Sequence, residues 1–387
     1  MPTCHLRGPA AHARRLFAAA LLGLAAIASA PLALAQLAPQ LAPAPTAPAT
    51  QDEPQFAPFA LAVPQAAQAD AQAVSVDIDP FDRNAVALAY QEIYLPQGQV
   101  PSGWNGNVGS CNPGSVSLAY RQATIARVNF YRALAGLPGN ITLMGGTAAT
   151  DTQAAALMFS ANRALSHSPP SDWLCYTSAG YNGAHNSNIA AGYGNNAAAG
   201  PGAIDLYMVD SDPNNSFVGH RRWVLYPARI GMDTGSVPYG SNGWASNALW
   251  VFGPTGPRPP TPFGVAWPPQ GYVPWQLLPA KSNRWSFSWP GADFSNATVS
   301  MSRDGVPLDP PGYEPLANGY GENTLVWLPP AGDAGDEVSY ARPGHDTDYH
   351  VVITGIRGGG APATIDYDVV VIDPWVIQDV IFTSSFE

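Results

Sequence analysis

The chain has 387 residues, which at roughly 100–200 residues per domain predicts two domains with additional segments. Forty Pro and 38 Gly, with only 12% charged residues, argue against coiled coils and favour short elements joined by many turns. The net charge of −11 has the wrong sign for binding a phosphate backbone, so nucleic acid is not an expected partner.

Residues 1–35 have the pattern of a secretory signal peptide. Basic residues precede the apolar run 16–27, and Ala33-Leu34-Ala35 supplies the small residues expected before cleavage at Gln36. A membrane anchor would need about 20 uninterrupted apolar residues. We therefore expect a bacterial protein that is secreted or periplasmic, without a membrane span after signal cleavage.

Shifts in composition divide the rest of the chain. Ala, Pro and Gln dominate after the signal, and a second stretch dense in Pro and aromatic residues comes near the middle. The predicted organisation is a signal peptide over 1–35, a linker over 36–70, a mixed domain with an N-terminal extension over 71–255, a packed connector over 256–283, a β-sandwich over 284–374 and a tail over 375–387.

Hydrophobic spacing predicts short helices and strands in the mixed domain. Apolar residues recur at threes and fours before Gly136 and Pro138, which is the strongest helical pattern of the chain. The predicted helices are 82–94, 116–135, 148–165 and about 201–209, the strands are near 229–233 and 247–253, and loops are expected at 176–188 and 210–217.

After Arg284 the hydrophobic pattern changes to alternation. Segments such as Trp285-Ser286-Phe287-Ser288-Trp289 place apolar residues on one face of a strand, and Asp304-Gly305 is typical of the turns between strands. A small β-sandwich fits this pattern best. The fold class predicted for the whole chain is α+β.

Two cysteines remain once Cys4 leaves with the signal. Cys111 and Cys175 are expected to pair in an oxidising compartment, closing a loop that would stabilise the fold by roughly 4 kcal/mol in the loop-entropy model. A metal site with two thiolates is the alternative. Neither cysteine stands in a CxxC pattern, so redox chemistry is not indicated.

Three histidines of the mixed domain are candidates for chemistry, namely His167, His185 and His220. The chain has no HExxH, P-loop, GxGxxG or GxSxG motif, which removes several enzyme classes. The acidic loop after Asp210 begins like a calcium loop, but Asn215 and Arg221 stand where an EF-hand needs Gly and Glu.

Five segments, in order, resemble the CAP superfamily of cysteine-rich secretory, antigen 5 and pathogenesis-related proteins. Asn129-Phe130-Tyr131-Arg132 resembles the N-x-x-R pattern in the first helix of that family. The other matches are the first-histidine motif at 165–171, the GENIAAG position at 186–192, the second-histidine motif Gly219-His220-Arg221 and the closing strand at 230–232. The resemblance covers about 115–253.

This resemblance implies an α-β-α sandwich with a cleft that presents two His and two Glu. Carried over here, the cleft residues are His167, Ser187, Asp210 and His220. Ser187 replaces the first Glu, and Asp210 stands where a second Glu is expected, so part of the set is changed.

A zinc or other divalent cation is the cofactor that this cleft would take. Two imidazoles and one carboxylate, from His167, His220 and Asp210, would leave an open fourth position for water. His185 is a further possible ligand, although an exposed loop histidine is the simpler interpretation. Asp205 is an alternative carboxylate, although it is more simply an exposed helix residue.

Serines beside the histidines raise the alternative of a Ser-His hydrolase. Ser166, Ser168 and Ser187 are the candidates, but no nucleophile elbow or oxyanion hole is indicated, and Ser168 is followed by two prolines typical of a turn. Glu322 stands in a second GEN sequence within the β region, which we interpret as a turn coincidence.

Non-catalytic binding is the function that these features favour. A CAP-type cleft would bind a small apolar ligand or a cell-surface component, such as a lipid, a peptide or part of the envelope. The alternative is a metal-dependent, peptidase-like hydrolase using the two histidines and one Asp, and a third is a purely structural surface protein. The domain at 284–374 resembles immunoglobulin-like domains of bacterial secreted proteins and would bind carbohydrate or act as a spacer. The last nine residues resemble the tails of exported proteins, or form an edge strand.

Overall fold

The computed structural model describes residues 40–46, 75–278, 284–330 and 342–377. The predicted signal peptide, most of the predicted linker and the last ten residues lie outside these ranges. The fold is a mixture of helices and sheets, which confirms the α+β class. None of the described helices is long and apolar enough to cross a membrane.

The helices fall in the first two thirds of the chain. They are α1 Arg83–Ala89, α2 Leu95–Gln97, α3 Leu118–Leu134, α4 Gly146–Asn162, α5 Ser178–His185, α6 Pro201–Val209 and α7 Gly219–Val224. A π-helical turn, Tyr90–Tyr94, joins α1 to α2, so the first helix continues through Pro96 instead of ending before it. Ser117 begins α3 by accepting a hydrogen bond from the Tyr120 backbone N–H.

Five strands form the sheet of the mixed region. They are β1 Gln40–Leu41, β2 Thr142–Leu143, β3 Ser187–Tyr193, β4 Gly231–Val237 and β5 Trp244–Trp250. Their order across the sheet is β1-β3-β5-β4-β2. Neighbours are antiparallel except β2 and β4, which are parallel.

Helices pack on both faces of this sheet, so its longer strands are buried on both sides. On β5, Ala248 clusters with Phe159 of α4, whereas the next residue, Leu249, belongs to the larger core that includes α3 and α6. The helix α4 lies very close to β4, since a Cβ on Gly235 would come within 2.3 Å of the Gln153 backbone. The absence of a side chain at Gly235 permits this approach.

The remaining strands form two larger sheets and a small ribbon. They are β6 Val265–Trp267, β7 Gly271–Pro274, β8 Trp285–Trp289, β9 Ala292–Asp293, β10 Thr298–Arg303, β11 Val306–Pro307, β12 Gly312–Tyr313, β13 Asn323–Leu328, β14 Thr347–Thr354, β15 Arg357–Gly358 and β16 Thr364–Ile372. One sheet has the order β11-β10-β14-β16-β7, another has β12-β13-β8-β6, and β15 pairs with β9. Rings from the two larger sheets meet, as Trp285 does with Tyr349 at 5.6 Å.

The predicted connector contributes to these sheets. The strand β6 pairs with β8, and β7 runs parallel to β16. Trp267 is buried and its ring meets that of Tyr131 on α3 at 5.2 Å. Aromatic residues of this stretch therefore pack between the helical and the β parts of the core.

The structure differs from the sequence predictions at three places. The loop expected at 176–188 is the helix α5 followed by the start of β3. The helix α7 was not predicted. Residues 40–46, expected to be linker, form β1 and a packed extension in which Ala42 and Ala44 are buried. In each case, contacts with distant parts of the chain outweigh local composition.

The predicted disulfide is confirmed. Cys111 and Cys175 are bonded, across a sequence separation of 64 residues. The alternative of a two-thiolate metal site is therefore wrong, because both sulfurs are used in the bond.

Candidate functional site

A buried carboxylate–imidazole pair stands at the centre of the candidate site. Asp210 follows the last residue of α6 and His220 lies in the first turn of α7, and both side chains are fully buried. The Nδ1 of His220 lies 2.9 Å from Oδ1 of Asp210. The side-chain Nδ2 of Asn215 lies 2.8 Å from the same Nδ1, which therefore faces both an acceptor and a donor.

The loop between the two helices is built around this carboxylate. Oδ2 of Asp210 accepts the backbone N–H groups of His220 and Arg221, at 3.0 and 3.2 Å. Two non-glycine residues of the loop, Asp210 and Val218, have left-handed φ angles of 51°. That conformation is strained for a β-branched residue, so Val218 marks a point where surrounding contacts impose the backbone geometry.

Asn215 links the pair to the N-terminal segment. Its Nδ2 donates to Oδ1 of Asp210 at 2.5 Å, and its Oδ1 accepts the backbone N–H of Ala44 at 3.3 Å. The bond from Ala44 fixes which end of the amide faces the carboxylate. Moving residues 40–46 would therefore alter the hydrogen bonding of Asp210.

The strand β3 supplies the other wall. Asn188 donates from Nδ2 to the His220 carbonyl at 3.0 Å, and the Tyr207 hydroxyl donates to the Asn188 carbonyl at the same distance. The Tyr207 ring stacks on His220 with centroids 5.5 Å apart, and burial raises the pKa of Tyr207 well above its usual value. Ser187 is fully buried beside Asn188.

Three buried polar atoms of this site have no hydrogen-bond partner in the described part of the chain. They are Nε2 of His220, Oγ of Ser187 and Oδ1 of Asn188. A buried polar atom without a partner costs about 1–3 kcal/mol, so all three are available to a ligand that offers a polar group.

His167 lies in the loop after α4, and its two ring nitrogens contact two carbonyls. Nδ1 is 2.8 Å from the Ala184 oxygen and Nε2 is 2.6 Å from the Pro43 oxygen. Burial lowers the pKa of His167, the two carbonyls oppose this change, and the charges of His220 and His185 add to the lowering. A neutral ring has one N–H, so it donates to only one of the two carbonyls.

The residues present do not fit a divalent metal as arranged. Across the described ranges, no three His, Cys, Asp or Glu side chains lie close enough to hold a metal ion. The predicted ligands are engaged elsewhere, since Asp210 binds His220 Nδ1 and both nitrogens of His167 face carbonyls. The predicted set of His167, His220 and Asp210 is therefore not assembled for zinc.

The two alternative ligands are also placed elsewhere. His185, at the end of α5, is exposed and stacks on Tyr181 at 6.2 Å. Asp205 is not simply an exposed residue of α6, because it pairs with Arg127 at 2.6 Å and accepts the Tyr131 hydroxyl at 2.9 Å. Both residues therefore make structural contacts and do not join the candidate site.

The remaining serine and glutamate candidates show local roles. The Ser166 hydroxyl accepts the Ser168 backbone N–H at 3.0 Å, which is the turn chemistry expected before two prolines. Glu322 lies in the turn before β13 and pairs with Arg258 at 2.5 Å. The second GEN sequence is therefore a turn, as predicted.

Arg221 and Arg284 link the loop that carries Asp210 and His220 to the β region. Arg221 donates from Nε to the Met208 carbonyl and from Nη1 to the Arg284 carbonyl, each at 2.7 Å. Burial lowers the pKa of Arg221 to about 9. In turn, Arg284 donates to the Asp210 carbonyl at 2.7 Å. The loop that carries the pair is thereby fixed from both sides.

Three residues that shape the site were not predicted from the sequence. Asn215 was considered only as the residue at the glycine position of a calcium loop, and neither Tyr207 nor Trp223 was assigned a role. The indole of Trp223 donates to the Pro45 carbonyl at 2.6 Å. The polar residues between Asp210 and His220 were the signal that could have pointed to Asn215.

No known protein family, curated protein or solved structure matches this chain. The function is therefore argued from the geometry of the site and from the sequence motifs.

Proposed function

We propose that this protein is a secreted CAP-type module whose cleft binds a ligand without metal catalysis, joined to an immunoglobulin-like β domain. The ordered motifs between residues 115 and 253 support the CAP assignment, as do helices on both faces of the sheet. The disulfide and the lack of a membrane-spanning helix among the described residues are compatible with secretion.

One observation carries the binding proposal. Residues 40–46 form an extended piece of chain near Asp210 and His220, and their backbone groups contact the side chains of His167, Asn215 and Trp223. Such contacts are those of a binding site. The carboxylate and His167, which a metal would need, are already engaged.

The alternative is the hydrolase. It is favoured by the unpartnered Nε2 of His220, which is oriented by Asp210 as a general base would be. Among the described residues, no nucleophile is hydrogen-bonded to Nε2 of His220. Binding is therefore the better-supported function.

Hydrolysis assays with casein and p-nitrophenyl esters, with and without added zinc, separate the two functions. We expect the wild type to show no more turnover than His220→Ala, with the exposed-site variant Asp172→Asn as a matched control. Turnover that is present in wild type and Asp172→Asn but lost in His220→Ala would overturn the binding proposal.

A further inference from the structure

Residues 40–46 lie as an edge strand and its extension beside the site. In β1, Gln40 pairs with Ala191 and Leu41 pairs with Ala190, both antiparallel on β3. Pro43 and Pro45 follow, and they lack the N–H that a longer strand would need. The segment therefore leaves the sheet after two residues and continues across the candidate cleft.

Three side chains from different elements contact the backbone of this extension. His167 meets the Pro43 carbonyl at 2.6 Å, Asn215 accepts the Ala44 N–H at 3.3 Å, and Trp223 donates to the Pro45 carbonyl at 2.6 Å. Contacts to backbone groups do not depend on the side chains of the segment. They would hold any peptide of the same extended shape.

Three side chains of the segment are buried. They are Ala42 and Ala44, at 8% and 5% exposure, and Pro45, whereas Pro43 and Thr46 are exposed. Ala42 belongs to a cluster of small and aromatic residues that includes Ala155, Phe159, Ala184, Ile189 and Ala248. Its position therefore accepts only a small side chain.

Close packing against the start of α7 limits the size of the side chain at position 44. A Cβ added to Gly219 at the start of α7 would come within 2.4 Å of the Ala44 Cβ. The absence of a side chain at Gly219 is thus what admits Ala44, and a larger ligand residue would meet the helix. The groove selects small side chains at two alternate positions, leaves the proline between them exposed and buries the proline after them.

We infer that this groove is a recognition site for extended peptides of other proteins with the pattern small-Pro-small-Pro, and that residues 40–46 occupy it as an in-chain ligand. The inference rests on the proposed binding function and names its ligand class. Strand addition at the edge of β3 supplies the start of the peptide site, and His167, Asn215 and Trp223 supply the rest.

An in-chain ligand competes with free peptide. A tethered segment acts at an effective concentration of roughly millimolar, so the wild-type groove is largely closed to a weak external peptide. Displacing the segment should open it. Ala42→Glu together with Ala44→Glu would place two carboxylates in buried positions, one of them near Asp210, and so disfavour docking of the segment.

The test is fluorescence anisotropy with a labelled peptide of sequence Gln-Leu-Ala-Pro-Ala-Pro-Thr, titrated with the full protein. We expect the double variant to bind at least about tenfold more tightly than the wild type. Thr46→Glu, which alters an exposed residue of the same segment, should bind as the wild type does. The same peptide with Glu in place of both inner alanines should not bind the double variant.

Folding of the double variant is checked by circular dichroism and by its thermal transition. A folded double variant that binds both peptides equally, or neither, would overturn the peptide inference. The proposed binding function would then still stand unless the hydrolysis assays showed turnover lost in His220→Ala. A wild-type dimer in light-scattering chromatography that becomes a monomer in the double variant would overturn it differently, by assigning the groove to residues 40–46 of a second copy.

Discussion

Removing the carboxylate of Asp210 is expected to destabilise the protein more than any other single change at the site. The side chain is fully buried and accepts four hydrogen bonds, from the His220 and Arg221 backbones, His220 Nδ1 and Asn215 Nδ2. Breaking a buried charged pair typically costs about 3–5 kcal/mol. Alanine also tolerates the left-handed φ of 51° poorly, which adds about 1 kcal/mol. For Asp210→Ala we expect a total of about 5 kcal/mol.

Asp210→Asn separates the two contributions. Asparagine tolerates the left-handed conformation and retains one oxygen for the backbone N–H groups, so about 1–3 kcal/mol should be lost. Its amide nitrogen would then face Asn215 Nδ2, which is also a donor, so the loss should fall at the upper end of this range.

Urea unfolding followed by circular dichroism gives the free energies, and ¹⁵N NMR of the imidazole gives the tautomer. Asp172→Asn, at an exposed position, is the matched control and should lie within about 0.5 kcal/mol of the wild type. If Asp210→Ala lost less than about 1 kcal/mol, the carboxylate would not be the buried acceptor described above.

Three further changes have defined outcomes. Reducing the Cys111–Cys175 bond should lower the free energy of unfolding by about 4 kcal/mol, measured by urea unfolding with and without dithiothreitol; no change would contradict a bond that closes this loop. Arg132→Met should cost about 3 kcal/mol or more in the same assay, because its buried guanidinium donates to four carbonyls, whereas a loss below 1 kcal/mol would contradict that role. Because burial lowers the pKa of His167, the unfolded chain binds more protons between that lowered pKa and about 6.5, so stability should rise with pH across this window and level off above it. His167→Gln should flatten the rise and His345→Gln, at an exposed site, should not; an unchanged profile in His167→Gln would refute the assignment.

Regular periodicity allowed much of the fold to be predicted. The spacing of apolar residues in α3 and the alternation in β8 indicated their type correctly, although α3 buries every residue from Ala123 to Leu134 and β8 buries Trp285, Ser286 and Phe287 in succession. The helix α5 was missed because Gly180 and Gly183 are typical of turns. It forms through packing on α4 and a hydrogen bond from the Gly180 N–H to the Thr177 hydroxyl, neither of which depends on helical composition.

Asn129 and Arg132, the motif residues of α3, make structural contacts. Asn129 binds both the N–H and the carbonyl of Ile141, at 2.8 and 3.0 Å, and Arg132 binds carbonyls beyond α3 and in the loop after α7. A sequence pattern shows that such residues recur together, but it does not distinguish a backbone contact from a ligand contact. The interatomic distances in the structure identify the contacts of Asn129 and Arg132 as backbone contacts.

The least predictable feature was the occupant of the cleft. Residues 40–46 have the composition of a linker, and nothing local in them indicates burial. They are ordered by partners distant in sequence, such as Asn215 and Trp223. Likewise, the pairing of Asp210 with His220 was expected only as two members of one cleft, whereas their hydrogen bond is what withdraws the carboxylate from metal binding.

Calorimetric titration of the full protein with zinc tests the central claim most directly. Because Asp210 and His167 are already hydrogen-bonded, we expect no saturable zinc binding, and the wild type, His167→Ala and His220→Ala should give the same heats. Saturable binding by the wild type that is lost in both variants would contradict the account and identify the cleft as a metal site.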